Sequence, residues 1–483
     1  MIIKEKNIIF NVLESITINY HMTMNRFLSR CMIAAATLFP ATVLAQNVES
    51  NLQSEFAKKA IDSGAQREYV PTRENLEARK EFEKKRFGIF IHWGFYSMPG
   101  QGEWVLTRSN VPFDEYVELA SGFYPSKFDA KEWIDLFKEA GAKYMVFTTR
   151  HHDGFSMFDS KYTDYDIVDA TPFKRDVLKE LADECHKQDF GLNLYYSHVD
   201  WYRDDYPTGW SAGEYPNLKK HDDVPYEPYF NFMNNQLTEL LTNYGKIGGI
   251  WFDGVFDHRR DSMDWHFPEQ FDLVHKLQPE CLIANNHHRQ IQYGEDFQIF
   301  ERDLPGENKS GFGTAGGVSE LPLETCQQIV NGSWGYHVNK MNCKSPAELI
   351  GTLVATAGKG ANLLLNIGPR PNGSIPGPAA ESLRGLGKWL DKYGETIYET
   401  DKGDISGSWG SSTRKGDRLF VHITRRPGDE LYLPLDCKVK SAKLFIDGTP
   451  VKFDQWKHGV QLQLPEATEG EPVMVLELLT AAK

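Results

Sequence analysis

The sequence predicts an α/β protein: a (β/α)8-like (TIM-type) barrel followed by a C-terminal antiparallel β-sandwich. Three observations lead there. Short apolar runs alternate with longer amphipathic stretches between about residues 73 and 400. Several of those runs end in polar and aromatic residues where apolar core would otherwise continue. Beyond about Thr400 the texture changes to short alternating runs separated by turn residues.

The strand candidates are 87–92, 143–149, 191–197, 248–252, 281–284, 297–301 and 361–367. Helical periodicity fills several of the intervals, at 130–140, 174–188 and 229–244. Buried strands alternating with helices imply a mainly parallel sheet with helical crossovers. Seven such runs over roughly 300 residues favour a closed barrel over an open doubly wound sheet. One further strand is expected near 330–336, poorly marked, with short or missing helices around it. The barrel is therefore assigned 73–400 and the sandwich 401–483. In the latter, 401–412 is rich in Gly and Ser, and 418–424, 430–435, 441–446, 460–464 and 473–478 alternate as half-buried strands do. Turns at Arg426-Pro427-Gly428-Asp429 and Asp447-Gly448 separate them.

Composition limits the function classes. A chain that is 41% hydrophobic and 25% charged is ordinary globular protein, neither disordered nor fibrous. With 53 Lys+Arg against 67 Asp+Glu the net charge is −14, and no basic block stands out. A phosphate backbone needs a positive footprint, so a nucleic-acid partner is not expected. The apolar run 31–45 is interrupted by Pro40 and falls short of the roughly 20 residues of a membrane span. Arg26 and Arg30 precede it, and Val43-Leu44-Ala45 before Gln46 reads as a cleavage site. Residues 1–45 are thus read as a secretory signal peptide with an upstream extension, its natural start at Met24. The product is expected in the periplasm or outside the cell, with 46–72 as a lead-in to the barrel. Five cysteines follow residue 45: Cys185, Cys281, Cys326, Cys343 and Cys437. They are widely spaced and contain no C-x-x-C, which favours free thiols over disulfides or a zinc site.

In a barrel of this kind the chemistry sits at the C-terminal ends of the strands. Those ends read His92-Trp93-Gly94, His151-His152-Asp153-Gly154-Phe155, Tyr195-Tyr196-Ser197, Trp251-Phe252-Asp253-Gly254 and Glu301. The loop after the first strand adds Gly102-Glu103-Trp104. Each has a bland reading: a satisfied turn histidine, a core Trp, an Asp acting as helix N-cap. Together they describe a polar pocket with aromatic walls. Two carboxylates at strand ends, Asp253 and Glu301, fit glycoside hydrolysis, with one ionised at the anomeric carbon and one protonated at the leaving oxygen.

Eight motifs in order then resemble the secreted bacterial α-L-fucosidases of glycoside hydrolase family 29. They are FGIFIHWG (87–94), GEW (102–104), HHDGF (151–155), LYYS (194–197), WFDG (251–254), LPLETC (321–326), GSWGY (332–336) and NLLLNIGP (362–369). The resemblance implies a retaining exo-α-L-fucosidase with Asp253 as nucleophile and Glu301 as acid/base. Glu295 and Glu307 compete for the second role, since the family carries that Glu in a variable loop. It further implies that His92, Glu103, Trp104, His151, His152 and Tyr195 hold the sugar, Tyr196 being able to exchange roles with Tyr195. Trp251 and Trp334 are expected to line the pocket. Many family members place an Arg after the fifth strand against the sugar. Here that stretch reads Asn285-Asn286-His287-His288-Arg289, and His287, His288 or Arg289 is expected in its place, with His287 the assigned residue. The expected partner is a fucosylated oligosaccharide or glycoconjugate, and no metal or cofactor is called for.

Two other classes compete. A metal-dependent barrel hydrolase would use His151, His152, Asp153 and Asp253, although the sequence contains no H-E-x-x-H and the pair is adjacent rather than H-x-H. An inactive fucose-binding recognition protein would have no need of Asp253, yet Asp253 is present.

Overall fold

The computed structural model describes residues 68–481 except 110, 259–262 and 313–316. The expected signal peptide and most of the lead-in lie outside the described residues. Eight parallel strands form one sheet: β1 (Phe87–Ile91), β2 (Tyr144–Arg150), β3 (Gly191–Ser197), β4 (Gly249–Asp253), β5 (Leu282–Asn285), β6 (Gln298–Glu301), β7 (Leu323–Gln328) and β8 (Ala361–Ile367). Their order is β5-β4-β3-β2-β1-β8-β7-β6, so β8 returns to pair with β1 and curls the sheet into a nearly closed barrel. Phe90, Tyr144, Tyr195, Trp251, Ala284, Ile299, Cys326 and Leu364, one from each strand, fill the interior. Their neighbours, such as Ile89, Met145, Leu194, Ile250 and Ile283, belong to the second cluster beneath the helices. Burial on both faces is why most of these strands read as continuous apolar runs.

The crossover helices start where the sequence supplies a cap. Asp129 accepts from the Glu132 N–H at 3.0 Å ahead of Ala130–Glu139, and Asp176 from the Lys179 N–H at 2.9 Å ahead of Val177–Lys187. Ser345 and Glu348 form a reciprocal capping box at the start of Pro346–Gly358. Among the described residues no helix joins β5 to β6 or β6 to β7, and none is long and apolar enough to cross a membrane. All five described cysteines are free thiols.

One strand is not where the apolar pattern put it. The seventh is Leu323–Gln328, and 330–336 is a loop touched by a single bridge from Val330 to Cys343. Glu324, Thr325, Gln327 and Gln328 hide the strand from a search for apolar runs. Glu324 is fully buried, and its carboxyl accepts from the Tyr144 hydroxyl at 2.5 Å and from Trp251 Nε1 at 3.1 Å. Partners from β2 and β4 make a polar side chain acceptable inside the barrel.

The sheet does not pair β5 with β6. Asp296, fully buried just before β6, closes that seam. Its N–H donates to the Ile283 carbonyl at 2.7 Å, and its carboxylate accepts from the Ile283 N–H at 2.7 Å. The same carboxylate meets Arg79 Nη2 at 2.6 Å and His275 Nε2 at 2.8 Å. Arg79 belongs to the helix Arg73–Lys84, whose Phe82 plugs the lower end of the barrel against Tyr144 and Phe297.

After the barrel, a five-stranded antiparallel sheet runs in the order Val439–Leu444, Met474–Thr480, Arg418–Ile423, Gly410–Lys415, Asp401–Gly407. A three-stranded sheet (Glu430–Leu433, Gly459–Gln463, Phe453–Trp456) packs over it through Leu419, Val421, Leu433, Leu462 and Leu476. The Gly- and Ser-rich 401–412 stretch is therefore part of a paired hairpin rather than a linker. Its Ser411 hydroxyl donates to the Val354 carbonyl at 2.8 Å, tying the sandwich to a barrel helix.

Removing one partner of a buried ion pair leaves the others uncompensated, at a cost of about 3–5 kcal/mol. Asp296→Ala should therefore lower the unfolding free energy by that much relative to the wild type, seen as a lower urea midpoint at unchanged slope. An unchanged midpoint would show that the seam does not need this carboxylate.

Candidate active site

The polar strand ends converge at the C-terminal mouth of the barrel. Asp253 closes β4 opposite Ser197 of β3, and its carbonyl accepts from the His198 N–H at 2.7 Å. The chain then turns sharply through Gly254, whose φ of +110° suits glycine and where a Cβ would lie 2.8 Å from the Val199 nitrogen. That turn lets the Gly254 N–H donate to Asp253 Oδ1 at 2.8 Å, while the Tyr195 hydroxyl donates to Oδ2 at 2.9 Å. Burial pushes the Asp253 carboxyl up to about 6, against the hydrogen bonds that pull it down.

Glu301 ends β6 across the open seam. The Asn286 amide, just past β5, donates to Glu301 Oε2 at 2.9 Å and lies 3.4 Å from Asp253 Oδ1. His288 Nε2 stands 3.6 Å from the same Glu301 oxygen. Burial, and after it the charge of Asp253, pushes Glu301 up to about 7. The two groups thus differ in proton affinity, and between about 6 and about 7 Asp253 is ionised while Glu301 keeps its proton. The competing carboxylates are engaged elsewhere. Glu295 is buried against His287 Nε2 at 2.7 Å and the Gln292 N–H at 2.9 Å, and Glu307 pairs with Lys309 at 2.8 Å.

The remaining expected residues form three connected groups. His92 Nδ1 lies 2.6 Å from Asn366 Oδ1, and the ring stacks on half-buried Trp334 at 5.4 Å. Asn366 in turn donates to the Trp334 carbonyl at 2.6 Å. Glu103 Oε2 accepts the N–H groups of Trp334 at 3.1 Å and Gly335 at 2.7 Å, so the loops after β1 and β7 are stitched together. The second group follows β2, which ends at Arg150 and leaves both histidines in a turn, their rings 4.2 Å apart. His151 stacks on Tyr195 at 5.5 Å; His152 sets Nδ1 2.7 Å from the Ser197 hydroxyl and Nε2 3.7 Å from Asp253 Oδ2. Trp104 meets the His152 ring edge-on at 5.4 Å. Burial lowers His92 and His152 to about 3 and holds His151 well below its ordinary value, so all three rings are neutral at neutral pH. A neutral imidazole offers one donor and one acceptor, which suits hydroxyl groups.

The third group is beneath the pocket. Tyr195, and not Tyr196, faces Asp253; the Tyr196 hydroxyl bonds Gln236 at 2.8 Å outside the barrel. Trp251 is 3% exposed, lies against Tyr195 at 5.5 Å between ring centres, and its indole donates to Glu324. His287 is a correction: its Nε2 is committed to Glu295 and its Nδ1 accepts from the Arg289 N–H at 2.9 Å, so neither nitrogen is offered to the pocket. From this stretch Asn286 reaches both carboxylates, and His288, one of the alternatives for the position, stands 3.6 Å from Glu301. Sequence reasoning missed Asn286, together with the supporting Ser197, Asn366 and Glu324. The available signal was the same as at the other strands, an apolar run (281–284) ending abruptly in polar residues. Among the described residues, no three or more His, Cys, Asp or Glu side chains are arranged to hold a metal ion.

Comparison with known proteins agrees with this geometry. The model of a family described as alpha-L-fucosidase matches residues 56–395. Human plasma alpha-L-fucosidase is 28% identical over 445 residues, spanning 83% of this chain and 89% of that one. Alpha-L-fucosidase isoenzyme 1 from Paenibacillus thiaminolyticus superposes with a TM-score of 0.73 at 32% identity, covering 84% of this chain and 100% of that one. A trapped covalent intermediate of the GH29 alpha-L-fucosidase from Bacteroides thetaiotaomicron, formed with 2-fluoro-fucosyl fluoride, superposes at 0.74 with 29% identity, covering 87% and 99%.

Glu103→Ala would leave two backbone N–H groups without their acceptor, a loss of about 1–3 kcal/mol each when buried. Unfolding should move to lower urea, and Trp334 should lose its fixed position against His92. Tryptophan fluorescence and calorimetric binding of a fucose-configured iminosugar read the second effect. Unchanged inhibitor affinity would show that this stitching does not shape the pocket.

Proposed function

The chain belongs to the alpha-L-fucosidase family, and we propose that it works as a retaining exo-α-L-fucosidase on fucosylated oligosaccharides or glycoconjugates. The observation that carries the mechanism is the pairing of Asp253 with Glu301 through Asn286, one carboxyl holding its proton more tightly than the other. The covalent intermediate trapped in the Bacteroides relative supports the same route. Ionised Asp253 attacks the anomeric carbon of α-L-fucose as the glycosidic C–O bond breaks. Glu301 delivers its proton to the departing oxygen, leaving a β-fucosyl ester on Asp253. Glu301, now a carboxylate, takes a proton from water as that water attacks the same carbon. The ester breaks, and α-L-fucose leaves with both carboxyls in their starting states.

The neutral histidines and Glu103 orient the sugar. His92, His151 and His152 supply hydroxyl partners without adding positive charge beside Asp253, which keeps it nucleophilic. Trp104 and Trp334 give flat surfaces for the sugar's C–H faces. The chain is also proposed to be exported through cleavage after Ala45, a reading motivated by the Arg-flanked apolar run before it. N-terminal sequencing of the native product should find Gln46 first; a mature protein that keeps Met24 would overturn it.

The two carboxylates are tested together. kcat/KM should give a bell-shaped pH profile, falling below about 6 as Asp253 gains a proton and above about 7 as Glu301 loses one. Asp253→Ala should lose activity by many orders of magnitude on every substrate. Glu301→Ala should lose on the order of 10²–10⁴-fold on oligosaccharides, and much less in fucosylation from an activated aryl fucoside. Azide should then yield the β-fucosyl azide with Asp253→Ala and the α-azide with Glu301→Ala. Substantial residual activity in Asp253→Ala would sink the mechanism. The azide signature in Glu307→Ala or Glu295→Ala instead would move only the acid/base assignment.

A further inference from the structure

Asn286 sits where β5 ends, its main-chain N–H donating to the Phe252 carbonyl of β4 at 2.8 Å. Both oxygens facing its amide, Glu301 Oε2 at 2.9 Å and Asp253 Oδ1 at 3.4 Å, are acceptors. The opposite rotamer would set an amide oxygen against two carboxylates, so the NH2 group must point at the pair. Its Oδ1 is buried with no partner among the described residues, so nothing at that end dictates the orientation. The carboxylates themselves select it.

The other charged or titratable groups around the pair come from separate elements. Tyr195 and His152 face Asp253; His288, Arg302 and Glu103 face Glu301, whose charge in turn acts on the Cys326 thiol. Among the described residues no Lys or Arg forms an ion pair with either carboxylate. The group that touches both is therefore a neutral amide.

We infer that Asn286 is a positioning residue that couples the two carboxyls: one amide donates to both, fixing their separation and steadying each charge without neutralising it. A cation in this place would favour two ionised carboxylates, and no donor would favour two protonated ones. A neutral donor leaves room for the intermediate state, one proton on the pair, which a retaining mechanism requires at the start of each turnover. The burial that raises both groups acts in the same direction. The inference rests on the two-carboxylate reading given above.

The test is the pH profile of kcat/KM for Asn286→Ala and for Asn286→Asp, a near-isosteric replacement that keeps the shape and turns donor into acceptor. Loss of the donor should move both limbs to higher pH, on the order of one pH unit. In Asn286→Asp the alkaline limb should move further than in Asn286→Ala. A purely structural role would lower the rate at every pH and leave the limbs in place. If a variant is too slow to assay, binding of a fucose-configured iminosugar across pH, followed by calorimetry, reports the same ionisations. Unmoved limbs and an unmoved binding profile in both variants, with a bell-shaped wild type, overturn the inference alone. A bell that persists unchanged in Asp253→Ala would instead strike the two-carboxylate reading beneath it.

Discussion

The seam between β5 and β6 is the constraint on which the site depends. Every other adjacent pair of strands shares a ladder, so its separation is set by main-chain hydrogen bonds. Across this one gap there is no ladder, and side chains work beside the main-chain bond from the Asp296 N–H to the Ile283 carbonyl. Near the strand starts, Asp296 accepts the Ile283 N–H and brings Arg79 and His275 with it. Near the strand ends, Asn286 donates to Glu301 and approaches Asp253. The first clamp is structural and the second belongs to the chemistry, yet both hold the same two strands together. The distance between the two carboxyls is thus set at the one place where the barrel has no ladder to fix it.

Above that seam, one physical cause has two opposite results. Exclusion of water makes charge expensive, so it raises Asp253 and Glu301 and lowers His92, His151 and His152. The histidines become neutral hydrogen-bonding groups rather than cations. Had they stayed protonated beside Asp253, they would have held both carboxylates ionised and removed the acid. The aromatic side chains that pack around them, Trp104, Tyr195 and Trp334, keep the pocket dry and the histidines uncharged.

The rim and floor are held by groups that never need to meet a sugar. Glu103 binds backbone N–H groups of the loop after β7, and Asn366 of β8 bridges His92 to the carbonyl of Trp334. Below, Glu324 holds the Trp251 indole, Trp251 supports Tyr195, and the Tyr195 hydroxyl steadies Asp253. A buried acid inside the barrel therefore acts on the nucleophile through two aromatic rings. Glu324 is tolerated in this interior because it has partners from two other strands.

Most of the architecture was legible in the linear chain, because strands buried on both faces must be apolar runs, and runs cut short by His, Asp or Glu mark the mouth of a barrel. Asp253 and Glu301 were visible for that reason. So was the change of texture that announces the sandwich, although its first hairpin was hidden in a Gly- and Ser-rich stretch. The seventh strand escaped because Glu324 and its polar neighbours contradict the apolar rule, and the contradiction is resolved only by Tyr144 and Trp251, 180 and 73 residues away. Tyr195 and Tyr196 show the same limit: alternation along a strand says that neighbours face opposite ways, while which face is the pocket depends on the closed barrel. The exchange of His287 for Asn286 is the sharpest case. Five consecutive polar residues follow β5, and residue type alone favoured a histidine. The turn instead commits His287 to Glu295 and leaves Asn286 over the carboxylates. Sequence determined which chemistry was present at each strand end; tertiary structure decided which side chain reached the other, because side-chain direction after a strand is set by the turn and its distant partners.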